Sequence, residues 1–175
     1  MFCGTMEACF PFVSFVESAA DGRRGTMVKR ETPLRERALA MLARREHTRA
    51  EMTRKLSPHA ESPEQIEKLL DALAARGWLS EERFAEARAN TLARKFGSRK
   101  LEYDLRSRGV SDEVVERTVE QALTRELDNC RAAWEKKFGV LPQNAAERGR
   151  QMRFLAGRGF SAEAVRQILK AGNLD

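Results

Sequence analysis

Slid against itself by about 50 residues, the sequence repeats. Leu42-Ala-Arg-Arg-Glu-His-Thr-Arg49 falls on Leu92-Ala-Arg-Lys-Phe-Gly-Ser-Arg99, with Leu, Ala, Arg, a second base and the closing Arg coincident. Beyond that match, Leu56, Leu105 and Leu155 follow at intervals of 49 and 50, and Ser62, Ser111 and Ser161 repeat the same two intervals. A period of this length means an array of supersecondary units, each burying its apolar face against its own helices and its neighbours. Trp134-Glu-Lys-Lys-Phe-Gly139 set beside Leu92-Ala-Arg-Lys-Phe-Gly97 gives a third unit, with the extra residues VLPQNAAE expected in a loop before its next helix.

Each unit divides into three helices, A, B and C. Helix A places Leu34, Ala38, Met41 and Leu42 on one face in the first unit, and Phe84, Ala85, Ala89, Leu92 and Phe96 in the second. Those spacings are helical. In helix B of the first unit Met52 and Leu56 form the apolar stripe, and Thr48 precedes Glu51 by three residues, the spacing of a reciprocal capping box. Helix C opens each time with Ser and then Glu two residues later, a cap followed by a charge that complements the helix dipole. Its stripes are Ile66, Leu69, Leu70 and Leu73, then Val115, Val119 and Leu123, then Val165, Ile168 and Leu169, all expected to face a core.

Three phrases, RGWLSEERF, RGVSDEVVE and RGFSAEAVR, recur at Arg76, Arg108 and Arg158. Gly just past a helix suits the left-handed residue of a C-terminal stop. Gly77 should therefore close helix C of the first unit, and Gly109 and Gly159 should close helix B of the second and third. No breaker interrupts residues 111 to 138, so whether helix C of the second unit ends before helix A of the third is open.

With five Pro, one Tyr, two Trp and no β-branched clusters, the expected fold is all-α: three tandem three-helix, helix-turn-helix-like repeats over residues 34–79, 80–125 and 126–175, forming an elongated, curved array. Residues 1–33 are expected to be a disordered extension from an upstream start, with Met27 as the natural one. Their apolar run CFPFVSFV has no basic segment before it and is far shorter than the ~20 residues of a membrane span. No membrane contact is expected.

Cys3, Cys9 and Cys130 form an odd, scattered set without metal-ligand spacing, which argues against a disulfide framework or zinc site and fits a reducing cytoplasm. Only His47 and His59 are present, and the chain has neither a Gly-rich phosphate loop nor a GxSxG elbow. Neither an enzymatic site nor a cofactor is expected.

What does recur is basic. Residues 34–110 carry 17 Lys/Arg against 12 Asp/Glu, whereas residues 111–175 carry 11 against 10, so the cationic excess lies in the first two units. Arg44 and Arg45, Arg94 and Lys95, and Lys136 and Lys137 end helix A, where a cation gains about 0.3–1 kcal/mol from the dipole whatever its function. Arg49, Arg99 and Lys100 open helix B, where the dipole disfavours them. Arg106 and Arg108 end that helix in the second unit. These residues, Lys136 and Lys137 apart, are the candidate contacts to an acidic protein groove or to phosphate. A helix-turn-helix DNA reader would lay helix C in the major groove, but its exposed side chains are Glu64, Gln65, Glu67, Lys68 and Asp71 in one unit and Asp112, Glu113, Glu116 and Glu120 in the next. Such a face is repelled by phosphate, which leaves sequence-specific reading by a DNA-binding transcription regulator as the lesser alternative.

Two stretches resemble a known family, the RecX regulators of the bacterial recombinase RecA. Gly77-Trp-Leu-Ser-Glu-Glu-Arg-Phe-Ala85 is similar to the family's G-aromatic-aliphatic-polar-acid-x-x-F-A corner, with Trp78 in place of the commoner Tyr. Arg94-Lys-Phe-Gly-Ser-Arg-Lys-Leu-Glu-Tyr-Asp-Leu-Arg-Ser-Arg-Gly109 is similar to its R-x-x-G-x-x-[RK]-L-x-x-x-L-x-x-[RK]-G helix. The resemblance spans about residues 34 to 172. It implies three tandem three-helix units and a non-enzymatic monomer that binds the RecA filament on single-stranded DNA. It also implies reduced RecA ATPase, strand-exchange and LexA-cleavage activities, hence a role in DNA repair, recombination and the SOS response, with weak DNA contact allowed.

Overall fold

The structure, a computed structural model, describes residues 33–170; the expected N-terminal extension lies outside them except for Pro33. Nine α-helices and no strand are found among the described residues. They run α1 (Leu34–Leu42), α2 (Arg49–Leu56), α3 (Pro63–Ala75), α4 (Glu81–Ala93), α5 (Ser98–Ser107), α6 (Asp112–Leu123), α7 (Glu126–Lys137), α8 (Ala145–Gly157) and α9 (Ala162–Lys170). A 3-10 turn over Ser57–His59 follows α2. None of these helices is long and apolar enough to cross a membrane.

The periodic stripes close into three separate cores, one per repeat. Ala38, Met52, Leu56, Ile66, Leu70, Leu73 and Leu79 fill the first. Phe84, Ala85, Leu101, Leu105, Val110, Val114 and Val115 fill the second. The third holds Cys130, Ala133, Leu155, Phe160, Ala164, Val165, Ile168 and Leu169. The repeating Leu56, Leu105 and Leu155 are all fully buried, each worth about 1.5–3 kcal/mol of transfer free energy. Burial pushes the Cys130 thiol up to about 11, so it packs as a small hydrophobe. Leu123 departs from the expected stripe: α6 ends there, and its side chain is 48% exposed.

The recurring Arg-Gly phrase is the helix stop that its glycine suggests. Gly77, Gly109 and Gly159 have φ of 69°, 73° and 81°. At each, the next residue's N–H reaches back to the helix: Trp78 to Leu73 O, Val110 to Leu105 O and Phe160 to Leu155 O. Val110 and Phe160 then turn into their cores, whereas Trp78 stays on the rim at 43% exposure.

Capping is less uniform than the sequence pattern. Ser62 Oγ accepts from Gln65 N and Ser161 Oγ from Ala164 N, but Ser111 makes no side-chain cap; its own N–H instead donates to Glu81 on α4. Thr48 accepts from Glu51 N as expected, yet Glu51 does not reach back. Its carboxylate is taken by other partners. A reach-back displaced by one residue occurs at α3, where Gln65 Oε1 accepts from Glu61 N just before the cap, and at α8, where Glu147 accepts from Gln143 N while its own N–H donates to the cap Asn144 Oδ1.

The chain does break between α6 and α7, at Thr124-Arg125, without Gly or Pro. Arg125 leaves helical geometry at φ −112°, ψ 3°, and the following Glu126 is drawn into the interior. In the third repeat the extra residues form a loop up to Asn144, and the last of them begin α8. Gln151, at the position of Met52 and Leu101, is buried there. It accepts from Trp134 Nε1 at 2.6 Å and donates to Val140 O at 3.0 Å, pinning the loop to the core.

Candidate partner-binding surface

Neighbouring repeats meet by one rule: the first turn of helix B in one repeat docks on the Gly corner between helices B and C of the next. In the first junction, α2 docks on the Gly109 corner. Thr48 Oγ1 donates to Arg108 O at 2.8 Å, and a Cβ built on Gly109 would meet the Ala50 Cβ at 3.0 Å. The buried Glu51 carboxylate accepts from Arg108 Nη1 at 2.5 Å and Arg45 Nη1 at 3.0 Å, with His47 Nδ1 also at 3.0 Å. Arg108 Nε in turn donates to Asp104, which also takes Arg88, and Arg83 crosses to Glu46 at 2.7 Å. Burial pushes the Glu51 carboxyl up, but the bonds from His47, Arg108 and Arg45 outweigh it and hold it below the usual carboxylate range. Burial moves His47 down, helped by the charges of Arg45 and Lys55 and opposed by its hydrogen bond to the Glu51 carboxylate.

The second junction has the same layout and different chemistry. α5 docks on the Gly159 corner through its backbone: Gly97 N–H donates to Arg158 O at 3.0 Å and Arg99 N–H to Gly159 O at 3.1 Å. The strands of chain approach so closely that a Cβ on Gly97 would overlap Gly159 O and the Phe160 backbone, and one on Gly159 would lie 2.7 Å from Lys100 N. Glu126, 4% exposed, accepts from Ser98 N (2.9 Å), Ser98 Oγ (2.7 Å) and Ser161 N (3.3 Å). Burial opposes its charge, yet the hydroxyls and N–H groups of Ser161 and Ser98 prevail and keep it below the usual range. One buried carboxylate thus serves the N-termini of two helices, α5 and α9.

This explains how Arg99 and Lys100 are tolerated in the first turn of α5. The N–H groups of Gly97, Ser98 and Arg99 already have acceptors, and Glu126 supplies the negative charge that the dipole wants. Their side chains remain exposed. Exposed beside them, beyond the end of α4, are Arg94 and Lys95. Arg44 occupies the matching turn after α1.

The other predicted contacts are engaged within the fold. Arg45 is bound to Glu51, Arg49 to Asp71 at 2.6 Å in an exposed pair, and Arg106 to Glu102 and Asp112 at 3.4 and 3.5 Å. Arg108 is the most engaged of them. Its guanidinium is shared between Glu51 and Asp104 and its carbonyl holds Thr48, so it is a joint between repeats rather than a free cation. Among the described residues, then, Arg44, Arg94, Lys95, Arg99 and Lys100 are the predicted contacts without an ion pair.

Two further residues belong to the same surface. Arg158 Nη1 donates to Lys95 O at 3.3 Å, while its guanidinium carbon lies 4.3 Å from the centre of the Phe154 ring. Tyr103, 67% exposed on α5, carries Lys100 Nζ at 5.1 Å from its ring centre. Arg158 stood in the third recurring phrase, but treating the phrase as a helix stop hid the side chain. An exposed aromatic four residues after Arg99 was the available signal for Tyr103.

Sequence profiles of one family cover this architecture in order: the first three-helix domain of RecX matches residues 35–73, the second 80–119 and the third 124–169. The chain belongs to the RecX family. A curated relative from Chromobacterium violaceum, named regulatory protein RecX, is 46% identical over 141 residues, covering 79% of this chain and 90% of its own. One of the same name from Ralstonia nicotianae is 41% identical over 140 residues, covering 80% and 88%. The crystal structure of RecX from Lactobacillus salivarius matches with a TM-score of 0.69 at 18% identity, covering 81% of this chain and 96% of that one, which establishes the shared fold.

Proposed function

We propose that this RecX-family chain binds the RecA filament on single-stranded DNA and lowers its ATPase, strand-exchange and LexA-cleavage activities, acting as a cytoplasmic monomer without chemistry of its own. The observation that carries this reading beyond family membership is the group of unpaired cations, Arg94, Lys95, Arg99 and Lys100, on the second junction. They lie in the turn after α4 and the first turn of α5, exposed and without an internal ion pair, so an acidic side chain or phosphate would displace no carboxylate of the fold to reach them. Laid across adjacent protomers, the repeats would obstruct incoming duplex or repressor and disturb the protomer interface where nucleotide is bound.

The test is RecA ATP hydrolysis on single-stranded DNA titrated with the protein. Hydrolysis should fall progressively, and joint reversal of Arg94, Lys95, Arg99 and Lys100 to Glu should weaken inhibition and flatten its salt dependence. Equal inhibition by both proteins at low and high salt removes these residues from the interface. Direct duplex reading is disfavoured, because the helix C residues that would enter the groove, including Glu64, Glu67, Asp112, Glu113 and Glu116, are exposed carboxylates. A gel shift of naked duplex, naked single strand and RecA-coated strand separates the two: tight, sequence-selective duplex binding without RecA overturns the proposal.

A further inference from the structure

Beneath the cationic corner lies a cavity of about 350 Å³, bounded by α4, α6 and the start of α7 and floored by the docked α5. Its walls are of two kinds. Ala89, Leu92, Ala93, Phe96 and Ala122 give an apolar interior, and three side-chain amides, Asn90, Gln121 and Asn129, stand around it. Repeat packing does not consume this space: Ala93 and Phe96 stay half-buried, and Leu123, next to Ala122, is exposed. The volume falls in the range of ligand pockets.

The cations of the corner are chain neighbours of the lining. Arg94 and Lys95 sit between Ala93 and Phe96, Arg99 and Lys100 sit between Ser98 and Leu101, and Arg125 itself lines the cavity. Two carboxylates line it as well. Glu126 is already taken by three donors from Ser98 and Ser161, leaving Glu86 against the cations. We infer that this cavity is the docking site for an acidic peptide segment of a partner protein, with one apolar side chain inserted between α4 and α6 and flanking carboxylates on Arg94, Lys95, Arg99 and Lys100. The amides favour a peptide occupant. Each offers both a donor and an acceptor, as an extended main chain requires and a lipid tail does not, while the apolar interior set among cations calls for an apolar side chain flanked by carboxylates. The inference rests on the protein-partner reading above and adds what the partner must present.

The probe is a short synthetic peptide in which aspartates flank a central Leu-Phe pair, titrated into the full chain and followed by amide chemical shifts at low salt. Saturable shifts are expected at Ala93, Ala122 and Asn129, with at least about tenfold weaker binding when Leu-Phe becomes Ala-Ala or the aspartates become lysines. Ala93→Phe should fill the cavity and weaken the peptide to the same extent while retaining the wild-type melting curve. Absence of saturable shifts at millimolar peptide, shifts mapping elsewhere, indifference to either peptide change, or full binding by a natively melting Ala93→Phe protein would each overturn the site. RecA hydrolysis keeps the two readings apart. Peptide binding without any effect on RecA refutes the RecA reading and leaves the site standing; RecA inhibition without peptide binding refutes the site.

Discussion

The two junctions between repeats solve one docking problem with different chemistry. At the first, α2 is held to the Gly109 corner by side chains, through Glu51, Arg108, His47 and the Arg83–Glu46 pair. At the second, α5 is held to the Gly159 corner by main chain, with one buried carboxylate bridging Ser98 and Ser161. Side-chain ion pairs with one partner near solvent weaken with salt and acid, whereas backbone bonds such as Gly97 N–H to Arg158 O and Arg99 N–H to Gly159 O do not. The difference teaches that one layout can be held by joints of different chemistry, and four of the five predicted contacts without an ion pair, Arg94, Lys95, Arg99 and Lys100, stand at the joint made of main chain.

The largest effect should come from the close approach at the second junction. Gly159→Ala meets both a left-handed backbone and Lys100 N at 2.7 Å, and should cost about 3 kcal/mol in urea denaturation. Gly77→Ala, with the same backbone need and nothing within 4 Å, should cost only about 1 kcal/mol. Equal losses at the two would show that the glycines are helix stops and nothing more.

Next in size are the two carboxylates. Glu126→Ala leaves the Ser98 and Ser161 N–H groups without their acceptor and should cost about 2–3 kcal/mol, hardly changed by salt. Arg108→Ala should cost about 2 kcal/mol at low salt and measurably less at high salt, since its guanidinium is partly exposed. A Glu126→Ala loss that shrinks with salt as the Arg108→Ala loss does would erase the distinction.

Acid should separate the joints in order. His47 titrates in the fold below its ordinary 6.5, so the stability it contributes is complete above that value and is lost as pH falls below it. Glu51 and Glu126 are likewise depressed, from 4.5, and their contributions are lost only as pH falls below that value. As pH falls below 6.5 and before it reaches 4.5, the amides of α1 to α3 should therefore lose protection while those of α5 and α9 keep theirs, and His47→Gln should abolish the early step. The smallest effect is expected at Trp78→Tyr: the ring is on the rim with Arg76 5.5 Å from its centre, and the change should stay within about 0.5 kcal/mol by thermal melting.

Much of the fold could be read from the sequence because periodicity acts locally. Leu56, Leu105 and Leu155 mark the same buried position in each repeat, and the Gly of each recurring phrase requires a left-handed turn whatever surrounds it. What could not be read depends on partners distant in sequence. Glu51 has the spacing of a capping box, but Arg108, 57 residues away, joins Arg45 and His47 in drawing its carboxylate elsewhere. Glu126 resembles an ordinary first-turn acid until Ser98 and Ser161 close on it. The same limit governed the cations: Arg94 and Arg108 look alike in sequence, but one is solvated and the other is a joint.

The measurement that bears most directly on the two-joint account is native-state hydrogen exchange of the full chain at about 0.05 M and 1 M salt. Added salt should lower the opening free energy of α1, α2 and α3 while α4 through α9 continue to open together and unchanged. Equal loosening of both junctions, or earlier opening of α7 through α9, would contradict it.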